Sequence, residues 1–440
     1  YSPSELGFKE LEITENVSKD SEFAFSVNAE RETDLGTLKV GFKSKNREKD
    51  VDDYIIVYEA DMTMADFDPQ TLDWQFAGQT FSQQANPDMI YALRNQLDSL
   101  SVDFSNDYAR DFVTEEKVDA LYIQNTYTWD KGVIVAGVRY EDTSTESQAF
   151  DQDGNQVFAG SDHSFFAPSI NIKYFLDDRL QLRGSIWKGL SRPGFKKTAP
   201  KLDYDNDEGD ISGSAGNPDL KPYEAVNYDL SLEFYGDDMT FASVGLFRKN
   251  IENAIYPKIY KTATFLGVTF NDDVETWENA QDSTINGLEL NLQYGWENGI
   301  YFAGNITLTD GESTFEPTDD VSFTTPFRKL ADEAFNISLG YDEGPWDVRL
   351  AANYRSDYLD WLSDEGDDID DVSENNSRFV DNYLQVDFTA KYKTSDNLEF
   401  KFEAVNLGNR EEYYYWGNEN QLSQYDVYGR NYSLGMTYNF

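Results

Sequence analysis

The chain has 440 residues, and its 36 Lys and Arg against 82 Asp and Glu give a formal net charge of −46. Such a negative charge repels phosphate backbones and excludes nucleic acid as a partner. No cysteine and a single histidine, His163, exclude disulfide scaffolds, thiol catalysis and Cys/His metal sites. Since 15% of the residues are aromatic, the acidity does not indicate disorder.

Alternation of apolar and polar residues is the dominant pattern along the chain. It is clear in segments 228–234, 288–296 and 384–392. A side-chain period of two predicts β-strands with one apolar and one polar face. These strands have roughly 9 to 13 residues, whereas about 5 or 6 is usual in soluble proteins. No apolar run approaches the roughly 18 residues of a membrane-spanning helix.

The connections between the predicted strands alternate between short and long. Short polar turns are predicted at Asp130-Lys131, Asp177-Asp178, Gly236–Asp238, Glu297–Gly299, Asp342–Gly344 and Ser395–Asn397. Long loops are predicted at about 48–115, 191–222, 251–281, 310–328, 359–377 and 409–427, between about 16 strands in all. Short turns on one rim and long loops on the other are typical of a bacterial outer-membrane β-barrel.

Aromatic residues end the strands that run into the short turns. Examples are Tyr127 and Trp129, Tyr294 and Trp296, and Tyr392. A repeated aromatic ring at one level is the girdle of a membrane interface. The alternative is a secreted all-β sandwich or propeller, but its strands would be shorter and its loops less regular.

The polar face of the strands carries charged and amide side chains, such as Asp229, Glu289 and Lys401. Each Lys or Arg would cost about 2–4 kcal/mol at the lipid midplane, so these residues are expected to line a hydrated lumen. The last strand alternates from Tyr432 up to Phe440 and resembles the terminal strand that the barrel-assembly machinery of Gram-negative bacteria recognises. We therefore expect the bacterial cell outer membrane as the location.

Several motifs resemble those of TonB-dependent outer-membrane receptors. They are Ser191-Arg192-Pro193-Gly194-Phe195, Gly216-Asn217-Pro218-Asp219-Leu220-Lys221-Pro222-Tyr223-Glu224, Asn286-Gly287-Leu288-Glu289-Leu290, and Glu403-Ala404-Val405-Asn406-Leu407-Gly408-Asn409 with Tyr425–Phe440. A further string, Arg355-Ser356-Asp357-Tyr358-Leu359-Asp360 with Tyr428-Gly429-Arg430, resembles the Caulobacter-type subfamily, whose members often take up oligosaccharides. In this order the set resembles the C-terminal part of such a receptor.

The resemblance implies a transmembrane antiparallel barrel of about 22 strands with an N-terminal plug domain and a TonB box. We expect the plug, the TonB box and the first strands to lie ahead of residue 1, so that residues 1–440 are the C-terminal portion of the barrel. The implied partners are the TonB complex, outer-membrane lipid, and an extracellular oligosaccharide as the preferred ligand or a ferric siderophore as the second. A passive 16-stranded porin remains the alternative from another class.

Candidate ligand contacts lie in the predicted long loops. Flat aromatics beside carboxylates and amides suit sugar rings. The candidates are Tyr358, Trp361, Asp357, Asp360, Tyr414, Trp416 and Asn418, with Arg192, Asn217 and Asp219 at the barrel entrance. The aromatics would otherwise form the outer girdle or pack loop against loop, and the entrance motif would otherwise serve strand bending.

Two acidic runs, Asp203–Asp210 and Asp364–Asp371, offer oxygen ligands for Ca²⁺ but lack the spacing of an EF-hand. Solvated acidic loops are the alternative interpretation of these runs. Carboxylates are so abundant that any two can be paired, so they do not indicate an enzyme. We expect no catalytic residues, no resident metal and a role in transport.

Overall fold

A computed structural model describes residues 2–8, 11–59, 62–70, 75–76, 79–80, 83–93, 101–103, 110–151, 154–207, 209–280, 282–318, 321–362 and 377–440. Strands dominate this part of the chain. Its helices are a 3-10 turn at Met64–Phe67, α1 (Pro87–Leu93) and α2 (Phe195–Thr198). None of the described helices is long and apolar enough to cross a membrane.

The strands are numbered in chain order. The first half holds β1 (Leu11–Thr33), β2 (Gly36–Glu59), β3 (Gln75–Phe76), β4 (Gln79–Thr80), β5 (Ser101–Asp103), β6 (Phe112–Trp129), β7 (Gly132–Phe150), β8 (Gln156–Phe175), β9 (Leu180–Ser191), β10 (Leu202–Asp207), β11 (Asp210–Ala215), β12 (Tyr223–Tyr235) and β13 (Phe241–Glu252). The second half holds β14 (Ile255–Tyr260), β15 (Ala263–Phe265), β16 (Val268–Phe270), β17 (Val274–Asn279), β18 (Ser283–Gly295), β19 (Ile300–Thr318), β20 (Val321–Pro326), β21 (Glu333–Glu343), β22 (Trp346–Arg355), β23 (Tyr358–Trp361), β24 (Arg378–Val380), β25 (Tyr383–Ser395), β26 (Leu398–Val405), β27 (Glu412–Trp416), β28 (Leu422–Asp426) and β29 (Asn431–Tyr438).

One large antiparallel sheet of 17 strands forms the barrel wall in the described part of the chain. Of these, β5 and β20 are short additions beside longer strands. The remaining fifteen pair in chain order from β1 to β29, close to the 16 expected. Such neighbour-to-neighbour antiparallel pairing is the topology of an outer-membrane barrel and confirms the predicted fold class. Within the described residues, β1 pairs only with β2, and β29 only with β26.

Short turns and long connections occupy opposite rims, as predicted. The turn rim also has a hairpin that the sequence analysis missed, closed between Thr33 and Gly36. Gly36 adopts a positive φ of 104°, and a Cβ there would lie 2.2 Å from the Thr126 carbonyl oxygen, so this tight turn requires glycine.

Several predicted loop boundaries were wrong because strands continue past the membrane or form inside the loops. The loop expected at 48–115 starts later, since β2 extends to Glu59, and it ends where β6 begins at Phe112. Loop 310–328 is largely strand, since β19 extends to Thr318 and pairs with β20. Where backbone leaves the wall, pairing with another strand satisfies its hydrogen bonds, which hydropathy alone does not reveal.

Two small sheets stand on the loop rim. The first has the order β10-β11-β17-β14 and the second the order β23-β24-β27-β28. Each covers a local apolar core: Leu202, Phe270 and Val274 under the first, and Tyr256, Phe315, Leu359 and Leu362 beside the second. The long loops are therefore folded structures that can hold side chains in fixed positions.

The two faces of the wall differ as the alternation predicted. On β12, Leu230 is 51% exposed on the apolar face, whereas its neighbour Asp229 accepts hydrogen bonds from Ser185 and Trp187 on the other face. Exposed leucines and isoleucines recur around the apolar face, which fits contact with lipid. The polar face is the inner wall of the barrel.

Candidate functional site

The sheet β23-β24-β27-β28, called the aromatic sheet below, unites two segments that lie over 50 residues apart in sequence. In its register Tyr358 pairs with Val380, which pairs with Tyr414. Two rows away, Arg378 lies between Trp361 and Trp416 in the same register. Five of the predicted ligand contacts therefore share one small sheet, namely Tyr358, Asp360, Trp361, Tyr414 and Trp416.

The carboxylate of Asp360 is engaged within the protein. Arg378 donates two N–H groups to it, and the Lys329 ammonium lies 3.7 Å away. Arg328 donates to the backbone carbonyl of Asp360 at 3.1–3.2 Å. Because Asp360 is only 8% exposed, its carboxylate balances these cations and holds β23 to β24.

The other predicted residues of this region are exposed. Asp357 accepts a long hydrogen bond, 3.5 Å, from the hydroxyl of Tyr415, which is buried in the aromatic sheet. Burial raises the pKa of Tyr415 to about 12, so its hydroxyl stays protonated and can donate even in mildly alkaline solution. Asn418 lies in the turn between β27 and β28 and accepts from the backbone N–H of Asn420 at 3.1 Å.

The motif around Asn217 forms a corner of the loop structure. The Asn217 side chain donates to the carbonyl of Trp277 at 2.7 Å and accepts from the Asp219 N–H at 3.0 Å. The ring of Trp277 meets Trp361 edge-on, with centroids 6.3 Å apart, and the Lys197 ammonium lies 3.7 Å from its centroid. Asn217 is thereby linked to the aromatic sheet, while the Asp219 side chain is exposed.

Arg192 lies elsewhere, on the inner wall. It donates to Glu141 at 2.6 Å and to the Thr143 hydroxyl at 3.0 Å, and its Nε lies 3.6 Å from Glu116. Glu116 is 6% exposed and also faces Lys45 at 3.5 Å. The structure therefore separates Arg192 from the other predicted contacts and places it in a charged network across β2, β6, β7 and the end of β9.

This network opens into a cavity of about 590 Å³, called the basic recess below. Its lining includes only two carboxylates, those of Asp53 and Glu116. Against these it presents six cations: Lys45, Arg47, Lys49, Arg110, Arg192 and Lys196. In a chain of charge −46, this recess concentrates positive charge on the inner wall.

The sequence analysis missed the basic recess because it assigned much of the relevant segment to a loop. The signal was nevertheless present: Lys43, Lys45, Arg47 and Lys49 recur at every second position. On β2 that period places them on one face, paired in register with Ser26, Ala24, Glu22 and Asp20 of β1. Asp20 contacts both Arg47, at 2.5 Å, and Lys49, at 3.9 Å.

Two further lysines lie in the segment that follows Arg192. Burial lowers the pKa of Lys201 to about 8, and the same cause, with nearby Arg328 and Lys329, lowers the pKa of Lys197 to about 8. Lys201 lies over the ring of Phe112, 5.8 Å from its centroid. Both ammonium groups therefore change charge just above neutral pH.

Metal binding has no support in the described residues, where no group of three or more Asp, Glu or His side chains is close enough to hold an ion. The acidic run 364–371 lies outside the described residues, as does Glu208 of the run 203–210. The predicted Ca²⁺ sites stay a prediction.

The family model for the β-barrel of TonB-dependent receptors matches residues 14–407. Similar curated proteins include the ferric enterobactin receptor of Pseudomonas aeruginosa, 26% identical over 48% of this chain and 32% of that protein. The ferrienterobactin receptor of Escherichia coli is 24% identical over 59% of this chain and 33% of its own length. The vitamin B12 transporter BtuB of Photobacterium profundum is 24% identical over 51% of this chain and 32% of its own length.

Solved structures show the same fold. The siderophore receptor PiuA of Acinetobacter baumannii superimposes with a TM-score of 0.63 at 14% identity, over 96% of this chain and 56% of that structure. The copper transporter OprC superimposes with a TM-score of 0.62 at 13% sequence identity, over 97% of this chain and 58% of that structure.

The chain spans about a third of the length of the curated relatives described above. With a family model that covers most of its residues and a wall of sequentially paired antiparallel strands, the chain belongs to the TonB-dependent receptor β-barrel family of the bacterial outer membrane.

Proposed function

We propose that the protein imports an anionic ferric siderophore across the outer membrane, with energy supplied through TonB. The names of the two enterobactin receptors described above support this ligand class. Membership of the receptor family argues against the passive porin.

The basic recess is the observation that carries the proposal. Four of its six cations, Lys45, Arg47, Lys49 and Arg192, already pair with Asp20, Glu22, Glu116 or Glu141, whereas Arg110 and Lys196 have no ion-pair partner among the described residues. An anionic ligand would supply the missing negative charge at little desolvation cost to these two exposed or half-exposed side chains. The local field would thereby outweigh the repulsion from a net charge of −46.

An oligosaccharide, the ligand preferred from sequence, becomes the second candidate. It rests on the Caulobacter-type resemblance and on the aromatic sheet, where one predicted carboxylate, Asp360, is already neutralised by Arg378. A neutral sugar would also leave the two unpaired cations of the recess, Arg110 and Lys196, without a counter-charge. The name of OprC gives copper as its ligand, and copper sites use thiolate, thioether and imidazole groups. This chain has no cysteine, one histidine and five methionines, so it offers few such groups and copper is disfavoured.

We propose that the ligand first meets the loop sheets and then enters the basic recess, where Arg192 is held in place by Glu141 and Glu116. Arg47 covers the ring of Phe195, 5.1 Å from its centroid, so one wall of the recess is both cationic and aromatic. Such a wall fits planar anionic groups.

Growth of a strain lacking the full-length gene tests the proposal. With ferric enterobactin, and separately with a panel of other ferric siderophores, as sole iron source, we expect the mutant to grow poorly and the complemented strain to recover. Normal iron-limited growth on the whole panel combined with loss of growth on one glycan would reverse the ranking of the two ligands.

Charge-neutral variants locate the site. Arg110→Gln combined with Lys196→Gln should weaken ferric siderophore binding about tenfold, since each removes a charge-assisted contact. The matched control is Arg179→Gln, which removes a cation from the turn rim, where Arg179 pairs with exposed Asp237. Equal binding by both variants would remove the recess from the proposal.

A further inference from the structure

The only histidine of the chain, His163, lies on the inner face of β8, where it pairs in register with Thr143 of β7. The unbroken row of outward apolar residues on these two strands ends at Tyr140 and Phe166, whose ring centroids are 5.0 Å apart. The next outward residue of β7 is Asp142, which is exposed. His163 therefore lies on the loop side of the lipid-facing band, in the part of the wall that extends beyond the membrane.

The side chain of Arg192 crosses β8 beside His163. Arg192 follows the last residue of β9, yet its guanidinium donates to Glu141 at 2.6 Å and to Thr143 at 3.0 Å on β7. Since β8 lies between β7 and β9 in the sheet, the side chain passes over the register partners of these two residues, Phe165 and His163. These contacts lie within the wall itself and do not require an empty lumen.

Two buried nitrogen atoms of this network, His163 Nε2 and Arg192 Nε, have no hydrogen-bond partner among the described residues. Arg192 Nε lies 3.6 Å from the carboxylate of Glu116, which is too long for a hydrogen bond. Buried polar atoms are normally paired, so two unpaired nitrogens in one network indicate an arrangement that a further proton or a ligand group completes.

Charged groups from four elements surround His163. They are Glu116 on β6, Glu141 on β7, Glu224 on β12 and Arg192 after β9. Each of the three carboxylates also has a cation of its own, namely Lys45 with Glu116 at 3.5 Å, Arg139 with Glu141 at 2.7 Å, and Lys188 with Glu224 at 2.5 Å. Four cations therefore oppose three carboxylates around the imidazole, before any ligand is bound.

The surroundings favour the neutral imidazole in the free receptor. Burial lowers the pKa of His163 below its ordinary value of 6.5, and Arg192 lowers it further, whereas the three carboxylates oppose the shift. An anion bound to Arg192 would cancel one of the two causes that lower this pKa. By linkage, a ligand that raises the pKa of His163 binds more tightly when the imidazole is protonated.

We propose that His163 is a positioning residue of the basic recess that couples ligand binding to the uptake of one proton from solvent. The neutral imidazole leaves Arg192 bound to Glu141 and Thr143. The protonated imidazole becomes a second partner for Glu141, its diagonal neighbour across the β7–β8 pair, and frees the Arg192 guanidinium for an anionic group of the ligand. The inference rests on the proposed siderophore function and adds the regulation of that site.

Histidine NMR of the full-length receptor in detergent tests the coupling without any ligand. The imidazole signal of His163 is assigned by its loss in His163→Gln and is followed as the pH is lowered. We expect Arg192→Gln to raise the midpoint of this titration by about 0.5–1 pH unit, because a neighbouring positive charge is removed. The control Arg179→Gln removes a cation from the turn rim and should leave the midpoint unchanged. Equal midpoints in wild type and Arg192→Gln would overturn the inference.

Isothermal titration with ferric enterobactin at pH 5.5 and pH 7.5 tests the effect on binding. We expect the ratio of the two affinities to be about threefold larger in wild type than in His163→Gln, and this comparison cancels any protonation of the ligand itself. If His163→Gln does not fold, proton uptake by the wild type is measured instead at pH 6, in buffers of different ionisation enthalpy. Absence of proton uptake would then contradict the coupling.

The two proposals fail in different ways. Tight binding of ferric enterobactin with the same pH ratio in wild type and His163→Gln counts against the role of His163 and leaves siderophore transport standing. No binding of any ferric siderophore of the panel at either pH counts against the proposed function, while the NMR titration still decides whether His163 and Arg192 are coupled.

Discussion

The rings of Trp277 and Trp361 meet at an interplanar angle of 86°, with their centroids 6.3 Å apart. This edge-to-face contact joins β17 of one loop sheet to β23 of the other. Cations flank the pair: Lys197 lies over Trp277, and Arg328 lies 4.6 Å from the centroid of Trp361. The two loop sheets are therefore coupled through four side chains that belong to different connections of the barrel.

Removing one ring should uncouple the loop sheets. Trp361→Ala loses an aromatic pair worth about 0.5–1.5 kcal/mol beyond its burial, together with the stacked Arg328. We expect faster protease cleavage of the loops and faster amide hydrogen exchange in β17 and β23, while the barrel wall is unchanged. Trp361→Phe keeps a ring and should retain most of the protection; equal cleavage of wild type and Trp361→Ala would contradict the coupling.

Neutralising Asp360 should destabilise the aromatic sheet. In Asp360→Asn, the Arg378 guanidinium and the Lys329 ammonium lose their shared counter-charge; because these side chains are 29% and 65% exposed, solvent screens part of the loss, which costs about 1–3 kcal/mol. Amide exchange across β23 and β24 would report the loss. Asp357→Asn is the matched control, because Asp357 is exposed and should change local stability by less than about 0.5 kcal/mol.

Ligand affinity should fall as pH rises through about 8. Lys201 has a pKa lowered to about 8 by burial; Lys196 and Arg110 lower it further, whereas Asp203 and Asp53 oppose the shift. Below that pH its ammonium adds to the field around the recess, and above it that charge is lost. Isothermal titration with ferric enterobactin at pH 7 and pH 9 should show a decrease of up to about tenfold.

Lys201 should also make the folding stability depend on pH, and this effect has the opposite sign: stability rises with pH while ligand affinity falls. Its ordinary pKa, 10.5, applies to the unfolded chain, which therefore binds more protons than the folded chain between about pH 8 and 10.5. The contribution of Lys201 to folding stability consequently rises with pH across that window. Lys201→Met should flatten both pH dependences, and an unchanged titration profile in that variant would assign them to other groups.

Adjacent residues on β12 should respond oppositely to the same substitution. Leu230→Arg places a charge on the lipid-facing side and should cost about 2–4 kcal/mol in the free energy of unfolding from lipid vesicles. Ser231→Arg places the charge on the inner wall beside Glu233, which already accepts a hydrogen bond from Ser231 at 3.3 Å, and should cost far less. Similar losses for both variants would contradict the assignment of the two faces.

The sequence by itself determined the barrel, its two faces and its two rims. A period of two is a property of every strand, so residues such as Leu230 and Asp229 are assigned to opposite faces without knowledge of their neighbours. Turn chemistry located most of the short hairpins for the same local reason.

Tertiary structure alone decided which side chains meet. The register of β2 against β1 and β6 gathers Lys45, Arg47 and Glu116 into the basic recess. Equally, pairing across β23, β24 and β27 places Tyr358 and Tyr414 on either side of Val380. Contacts between strands depend on the stagger of whole hairpins, and a shift of one residue would exchange the faces, so no local pattern contains them.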